Sequence, residues 1–201
     1  ESNERLRMMY FPLRCCLSWF LLLSFAFVWP VQEIAQWWLP DYADALNLLP
    51  LVLPVCLYEC TVNLATGTYL KVLRMEKDFL WGNSWALAVS LVLMLIFMVI
   101  WKNLPLTILS MSIALAARLW LLEYRLIGRL GISVRPILLT ETVVCVEYVM
   151  LCAGIGGWQG ALFYAVVVLA AAVVSWQVYL KAVLGDIRRL KVTGINRKRP
   201  A

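Results

Sequence analysis

The residues of this sequence that could do chemistry are polar side chains set inside long apolar stretches. The clearest set lies in the segment 57-LYECTVNLATG-67, where Glu59, Asn63 and Thr66 are spaced i, i+4 and i+7. On an α-helix this spacing puts all three side chains on one face. Because a carboxylate, an amide and a hydroxyl all need hydrogen-bond partners, we expect this face to point away from lipid, toward a bundle interior or a water-filled cavity.

Three more ionisable residues fall inside apolar stretches: Arg118, Glu141 and Glu147. A charge at the centre of a bilayer costs about 2.5 to 3.5 kcal/mol, so each needs a partner or water. For Glu59, Arg118 and Glu147, two interpretations remain open, namely an ion pair that holds helices together and a cavity lining that meets substrate or protons. For Glu141, which is closer to the predicted inner headgroups, we predict a structural role.

The sequence offers no set of side chains for catalysis or metal binding. It contains no histidine, and its six cysteines all lie within or at the edge of apolar stretches, where they behave as small apolar side chains. The glycine-rich segment 154-GIGGWQG-160 lacks the Lys-Ser/Thr pair of a phosphate-binding loop. We therefore predict a protein that is not an enzyme, with no catalytic residue, no cofactor and no metal site.

The elements that carry these residues are predicted to be membrane-spanning helices. Hydrophobic residues make up 63% of the 201 residues and charged residues 15%, and the mean hydropathy is +0.82, which is far more apolar than a soluble domain. Six runs are long enough to cross about 30 Å of hydrocarbon as helices. They cover about 10–31, 45–67, 79–101, 104–124, 136–153 and 160–182. The predicted fold is an all-α, polytopic membrane bundle over residues 1–185, followed by a basic cytoplasmic tail over 186–201.

The basic residues of the connecting segments predict the orientation of the bundle. If the N-terminus is cytoplasmic, sixteen lysines and arginines, Arg14 among them, lie on the inner side and only Lys102 lies outside. By the positive-inside rule, both termini are then cytoplasmic and the protein lies in the cytoplasmic membrane. Because the positive charge follows the membrane face rather than a patch with aromatic residues, we expect membrane lipids and no nucleic acid as partners.

The order of segments around the second span resembles that of a known transporter family. The first span ends in WPVQEIAQWWLP, DYADALNLLPLVLP opens the second, and ATGTYLKVLRMEK closes it. This pattern is similar to the second half of the polysaccharide and oligosaccharide flippases of the multidrug/oligosaccharidyl-lipid/polysaccharide exporter superfamily. The matching positions, all within about residues 5–125, are Tyr42, Ala43, Ala45, Leu48, Leu49, Leu70 and Arg74. The chain departs from the family pattern at 102-KNLPL-106, where the family often has a Gly-rich turn.

The resemblance implies alternating-access transport of a lipid-linked oligosaccharide or polysaccharide precursor, with no bond made or broken. It implies two six-helix lobes, so this chain would be the C-terminal lobe of a protein with about twelve to fourteen helices, and an N-terminal lobe of the same polypeptide would be its partner. In such a protein, Arg118 could attract the diphosphate of the substrate. Glu59, Asn63 and Thr66 could hydrogen-bond sugar hydroxyls or take up a coupling cation.

Other functions compete with transport of a lipid-linked glycan. A cation-coupled antiporter of the multidrug branch has a related fold. A membrane polymerase or ligase acting on the same glycan lipids usually needs a sizeable outer loop carrying acids, Arg or His, and the outer connections here are short. A scaffold subunit without transport activity would be insensitive to substitutions of the polar residues.

Overall fold

The computed structural model describes residues 2–131, 134–154 and 159–173, and every regular element within these ranges is helical. In chain order the helices are α1 (Ser2–Ser24), α2 (Val28–Trp38), α3 (Ala43–Leu46), α4 (Leu49–Thr61), α5 (Gly67–Val72), α6 (Glu76–Leu95), α7 (Leu104–Leu130), α8 (Arg135–Gly154) and α9 (Gln159–Val173). Short 3-10 turns lie at Phe25–Phe27 and Pro40–Tyr42, and π-helical turns lie at Val62–Thr66 and Ile96–Ile100.

Four helical segments are long and apolar enough to cross a membrane. They are Met9–Trp38, Leu49–Val72, Glu76–Ile100 and Leu104–Leu130, and they correspond to the first four predicted spans. Each has at least 24 residues, and a helix of about 20 residues covers the hydrocarbon core. The chain is therefore a helical membrane protein.

The fifth and sixth predicted spans are not among these four. Helix α8 covers the predicted span 136–153, but it carries three charged residues, Arg135, Glu141 and Glu147. Helix α9 covers the first part of the predicted span 160–182. The rest of that span and the predicted tail 186–201 lie outside the described residues, so the count of six and the cytoplasmic termini stay predictions.

The first span is longer than the predicted 10–31. After the 3-10 turn at Phe25–Phe27 the helix resumes and continues to Trp38. Pro30 does not stop it, because proline falls in the first turn of α2, where its missing N–H group would have had no partner within that helix. The chain leaves the helix only at Leu39, immediately before Pro40.

Helix α7 lies at the centre of the packing. It contacts both α4 and α6, while α1 contacts α4 and α8. The buried Ser110, Ser112 and Ala114 are small residues, which allow neighbouring helices to approach closely. Helix α7 begins after the N-cap Asn103 and ends at Gly131, whose left-handed conformation suits glycine. The helix thus places two charged residues, Arg118 and Glu123, inside the protein.

Candidate functional site: two ionic clusters within the membrane helices

The first ionic cluster joins α4 to α7 through Glu59 and Arg118. The Nη1 atom of Arg118 lies 2.8 Å from Oε2 of Glu59. The other carboxylate oxygen, Oε1, accepts a hydrogen bond of 2.9 Å from the side-chain amide of Asn63. We call Glu59, Asn63 and Arg118 the open cluster, because the side chain of Glu59 is 43% exposed whereas that of Arg118 is 10% exposed. The buried Nε atom of Arg118 has no hydrogen-bond partner among the described residues.

The predicted stripe of Glu59, Asn63 and Thr66 is divided in the structure. Glu59 and Asn63 share the open cluster, whereas Thr66 is fully buried and donates a hydrogen bond to Glu123, five residues further along α7 than Arg118. A π-helical turn at Val62–Thr66, which bonds i to i+5, rotates Thr66 relative to the α-helical period. Glu59 and Thr66 therefore both contact α7, but Thr66 does not join the open cluster.

Gly67 permits this π-helical turn. Its backbone N–H donates to the carbonyl oxygen of Val62, five residues earlier. A Cβ atom at position 67 would lie only 2.7 Å from that same oxygen and 3.0 Å from the ring of Phe79. Glycine is therefore required for the close approach that turns Thr66 inward.

The second ionic cluster is centred on Arg14 of α1. Its Nη1 and Nη2 atoms each lie 2.6 Å from one carboxylate oxygen of Glu141 in α8, which is a two-pronged contact. Its Nε atom lies 2.8 Å from Oε1 of Glu123 in α7. The same Glu123 oxygen accepts hydrogen bonds from the Tyr10 hydroxyl at 2.7 Å and from the Thr66 hydroxyl at 2.9 Å.

This second group, consisting of Tyr10, Arg14, Thr66, Glu123 and Glu141, is the closed cluster. All five side chains are almost completely removed from the protein surface. Two carboxylates face one guanidinium, and Oε2 of Glu123 has no hydrogen-bond partner among the described residues. The cluster ties together three helices and the π-helical turn, which makes it a structural centre of the membrane bundle.

Sequence reasoning missed three members of the closed cluster, namely Tyr10, Arg14 and Glu123. Arg14 was assigned to the cytoplasmic side by the positive-inside count, but it lies within the span Met9–Trp38 and is fully buried. Glu123 was passed over because it falls at the end of the predicted fourth span. The sequence signal that could have found Tyr10 and Arg14 is their spacing of one helical turn in an otherwise apolar stretch. This spacing gives no indication of Glu123.

The two remaining glutamates of α8 have different positions. Glu141, for which the sequence predicts a structural role near Arg135, is paired with Arg14 in the closed cluster. Glu147 is half-buried on α8 and joins neither cluster. Of the five predicted site residues, the structure therefore brings together Glu59, Asn63 and Arg118, places Thr66 in the closed cluster and leaves Glu147 apart.

The open cluster has the chemistry of a polar binding surface. A half-exposed carboxylate can accept hydrogen bonds from hydroxyl groups or attract a cation, and the guanidinium beside it contributes a positive charge. Within the described ranges, no three or more histidine, cysteine, aspartate or glutamate side chains are grouped so that they could hold a metal ion.

Comparison with known proteins adds no relative, since no family model, no curated protein and no solved structure matches this chain.

Proposed function

We propose that the protein takes part in transport across the membrane, as one lobe of an alternating-access transporter for a lipid-linked oligosaccharide or polysaccharide precursor. The observation that carries this proposal is the open cluster. Glu59 is the eleventh residue of the span Leu49–Val72, and its carboxylate is half-exposed there, at the middle of a membrane-crossing helix.

A half-exposed carboxylate at this depth is not explained by helix packing alone. If Glu59 faced hydrocarbon, its charge would be disfavoured by about 2.5 to 3.5 kcal/mol. Pairing with Arg118 satisfies one carboxylate oxygen and Asn63 the other, yet the side chain still reaches the surface of the described helices. We infer that this surface lines a water-filled cavity, closed on its other side by a second lobe of the same transporter.

The polar groups of this cavity suit a glycan carried on an anionic lipid. The Glu59 carboxylate and the Asn63 amide would hydrogen-bond sugar hydroxyls, and Arg118 would attract the diphosphate. The isoprenoid tail would stay in the surrounding lipid. Transport of this kind makes and breaks no covalent bond, and we propose the cytoplasmic membrane as its location.

The test separates a transport role of the open cluster from a structural one. The full-length gene is depleted from its host and replaced by Glu59→Gln, by Arg118→Gln or by the double variant, and the amount and leaflet of the lipid-linked glycan are measured. Each single variant leaves one group of the ion pair without its partner, whereas the double variant removes both charges. Arg129→Gln, which removes an exposed charge at the end of the same helix, is the matched control.

We expect glycan lipid to accumulate on the cytoplasmic leaflet in both single variants and in the double variant, at normal protein levels, and not in the control. Recovery of transport in the double variant would show that the pair only holds helices together. Normal glycan export in the depleted strain itself would exclude the proposed substrate.

A second candidate follows from the exposure of the Glu59 carboxylate, which would attract an organic cation as well as a hydroxyl group. A cation-coupled antiporter of the multidrug type would use the same open cluster. Uptake of a fluorescent cation into vesicles, driven by a sodium or proton gradient and lost in Glu59→Gln, would favour this function over glycan transport.

A further inference from the structure

A groove with a volume of about 800 Å³ lies between one face of α6 and one face of α7. Its walls include Trp81, Gly82 and Trp85 of α6 and Trp120 and Arg125 of α7, with Asp78 at one end. None of these residues belongs to the open or the closed cluster. A groove of this volume is within the range of small-molecule binding sites, and its mostly apolar and aromatic walls are also typical of such sites.

The groove has one tryptophan ring that is held in place, that of Trp120, and a narrow part where α6 and α7 approach each other. Trp120 donates a hydrogen bond of 3.2 Å from its ring N–H to the hydroxyl of Thr142 in α8. Gly82 forms the narrow part of the groove, since a Cβ atom there would lie 2.7 Å from a methyl group of Leu122. Trp81 is 75% exposed and stands at the open edge. The Trp120 ring is therefore held by a hydrogen bond, whereas the Trp81 ring is accessible from outside the protein.

The groove opens toward the lipid. Trp81 and Trp85 are both exposed side chains, so α6 presents its groove-facing residues to the surroundings of the protein. Because this helix is long and apolar enough to cross the membrane, those surroundings are hydrocarbon over most of its length. A ligand that reaches the groove from the side must therefore be a membrane lipid or share the solubility of one.

One end of the groove carries charge. The Nη1 atom of Arg125 lies 3.5 Å from Oδ1 of Asp78, which is a loose contact, and the Arg125 side chain is 65% exposed. A guanidinium has five N–H donors in a planar arrangement that suits phosphate oxygens, and one loose contact leaves most of them available. From Asp78 to Trp85 the α6 side of the groove extends about 11 Å at 1.5 Å per residue.

We propose that this groove binds a phospholipid with an anionic headgroup, the phosphate on Arg125 and the first part of an acyl chain along Trp81 and Trp85. The combination of one exposed guanidinium with an adjoining apolar length of about 11 Å matches a lipid headgroup and the start of its tail. The aromatic rings add contact area that is apolar along the chain and polar at the headgroup level. This inference does not depend on the transport function.

The test measures tryptophan fluorescence quenching by brominated lipids in the reconstituted full-length protein. Vesicles of phosphatidylcholine receive the same mole fraction of either brominated phosphatidylglycerol or brominated phosphatidylcholine. The test variant is Arg125→Gln, and its matched control is Arg129→Gln on the same exposed end of α7. A double variant, Trp81→Phe/Trp85→Phe, shows how much of the quenching arises at these two groove residues.

We expect the wild type to be quenched more by the anionic lipid, and Arg125→Gln to lower this preference about fivefold, because a contact of about 1 kcal/mol with the headgroup is lost. Arg129→Gln should leave the preference unchanged, and the double tryptophan variant should reduce it, with Trp120 as the remaining tryptophan of the groove. Equal loss in Arg125→Gln and Arg129→Gln would show general surface attraction and overturn the proposal. Absence of any preference in the wild type, or an undiminished preference in the double tryptophan variant, would also overturn it.

Discussion

Replacing Arg14 with glutamine is expected to destabilise the protein strongly, because this arginine holds two buried carboxylates. In the wild type, three of its nitrogen atoms contact Glu123 and Glu141 at distances between 2.6 and 2.8 Å, with no exposure to the surroundings. Removing one partner of a buried ion pair costs about 3 to 5 kcal/mol, since the other charge is left without compensation. In Arg14→Gln two charges are left, so we expect a loss at the upper end of that range.

Arg118→Gln provides the matched comparison, because it removes the same group from the open cluster. Arg118 makes one contact to Glu59, at 2.8 Å, and the half-exposed carboxylate can be solvated when its partner is lost. Screening by the surroundings reduces the expected loss to about 1 kcal/mol. The difference between the two variants should therefore be about 3 to 4 kcal/mol, and it follows from burial and not from the type of residue.

The free energy of unfolding of the purified protein can be measured in mixed micelles by denaturant titration, followed by tryptophan fluorescence. A further variant, Arg14→Gln combined with Glu141→Gln, should recover part of the loss because only one buried carboxylate remains. A loss below about 1 kcal/mol for Arg14→Gln, or a larger loss for Arg118→Gln, would refute the assignment of the closed cluster as the structural centre.

Three further predictions concern single contacts. Tyr10→Phe removes a 2.7 Å hydrogen bond to the Glu123 carboxylate and should lower the free energy of unfolding by about 1.5 to 3 kcal/mol; an unchanged denaturation midpoint would contradict the contact. Asn103→Ala removes the N-cap of α7 and should cost about 0.5 to 2 kcal/mol in the same titration, whereas Asn103→Asp, which keeps a capping oxygen, should cost less. In variants that retain one cysteine, a water-soluble maleimide should label the exposed Cys56, one turn before the open cluster, and not the buried Cys145; protection of both would argue against a water-filled cavity.

The two ionic clusters of the membrane helices differ in their surroundings. In the closed cluster every charged side chain is enclosed by protein, and the contacts fix the positions of α1, α7 and α8. In the open cluster the carboxylate of Glu59 reaches a surface that can meet a ligand. A substitution in the closed cluster should therefore change stability first, and one in the open cluster should first change the transport that we propose.

The membrane class and the first four spans follow from the sequence by itself. Length and apolar composition determine where a chain can cross hydrocarbon, because an exposed backbone or a run of charges there is strongly disfavoured. The polar spacing in the second span also led to Glu59 and Asn63, and an ion pair was one of the two interpretations left open for Glu59 and Arg118. These inferences need only local periodicity and the cost of burying a charge.

Only the tertiary structure decided which charges meet. Arg14 contacts Glu123 and Glu141, which are 109 and 127 residues away, and no local pattern encodes such a distance in sequence. The partner of Thr66 was also beyond the sequence, since the π-helical turn at Val62–Thr66 changes the local helical period and Glu123 is 57 residues away. Side-chain periodicity determines the face of a regular helix, but the partner of that face, and any change in the period itself, are determined by how the helices pack.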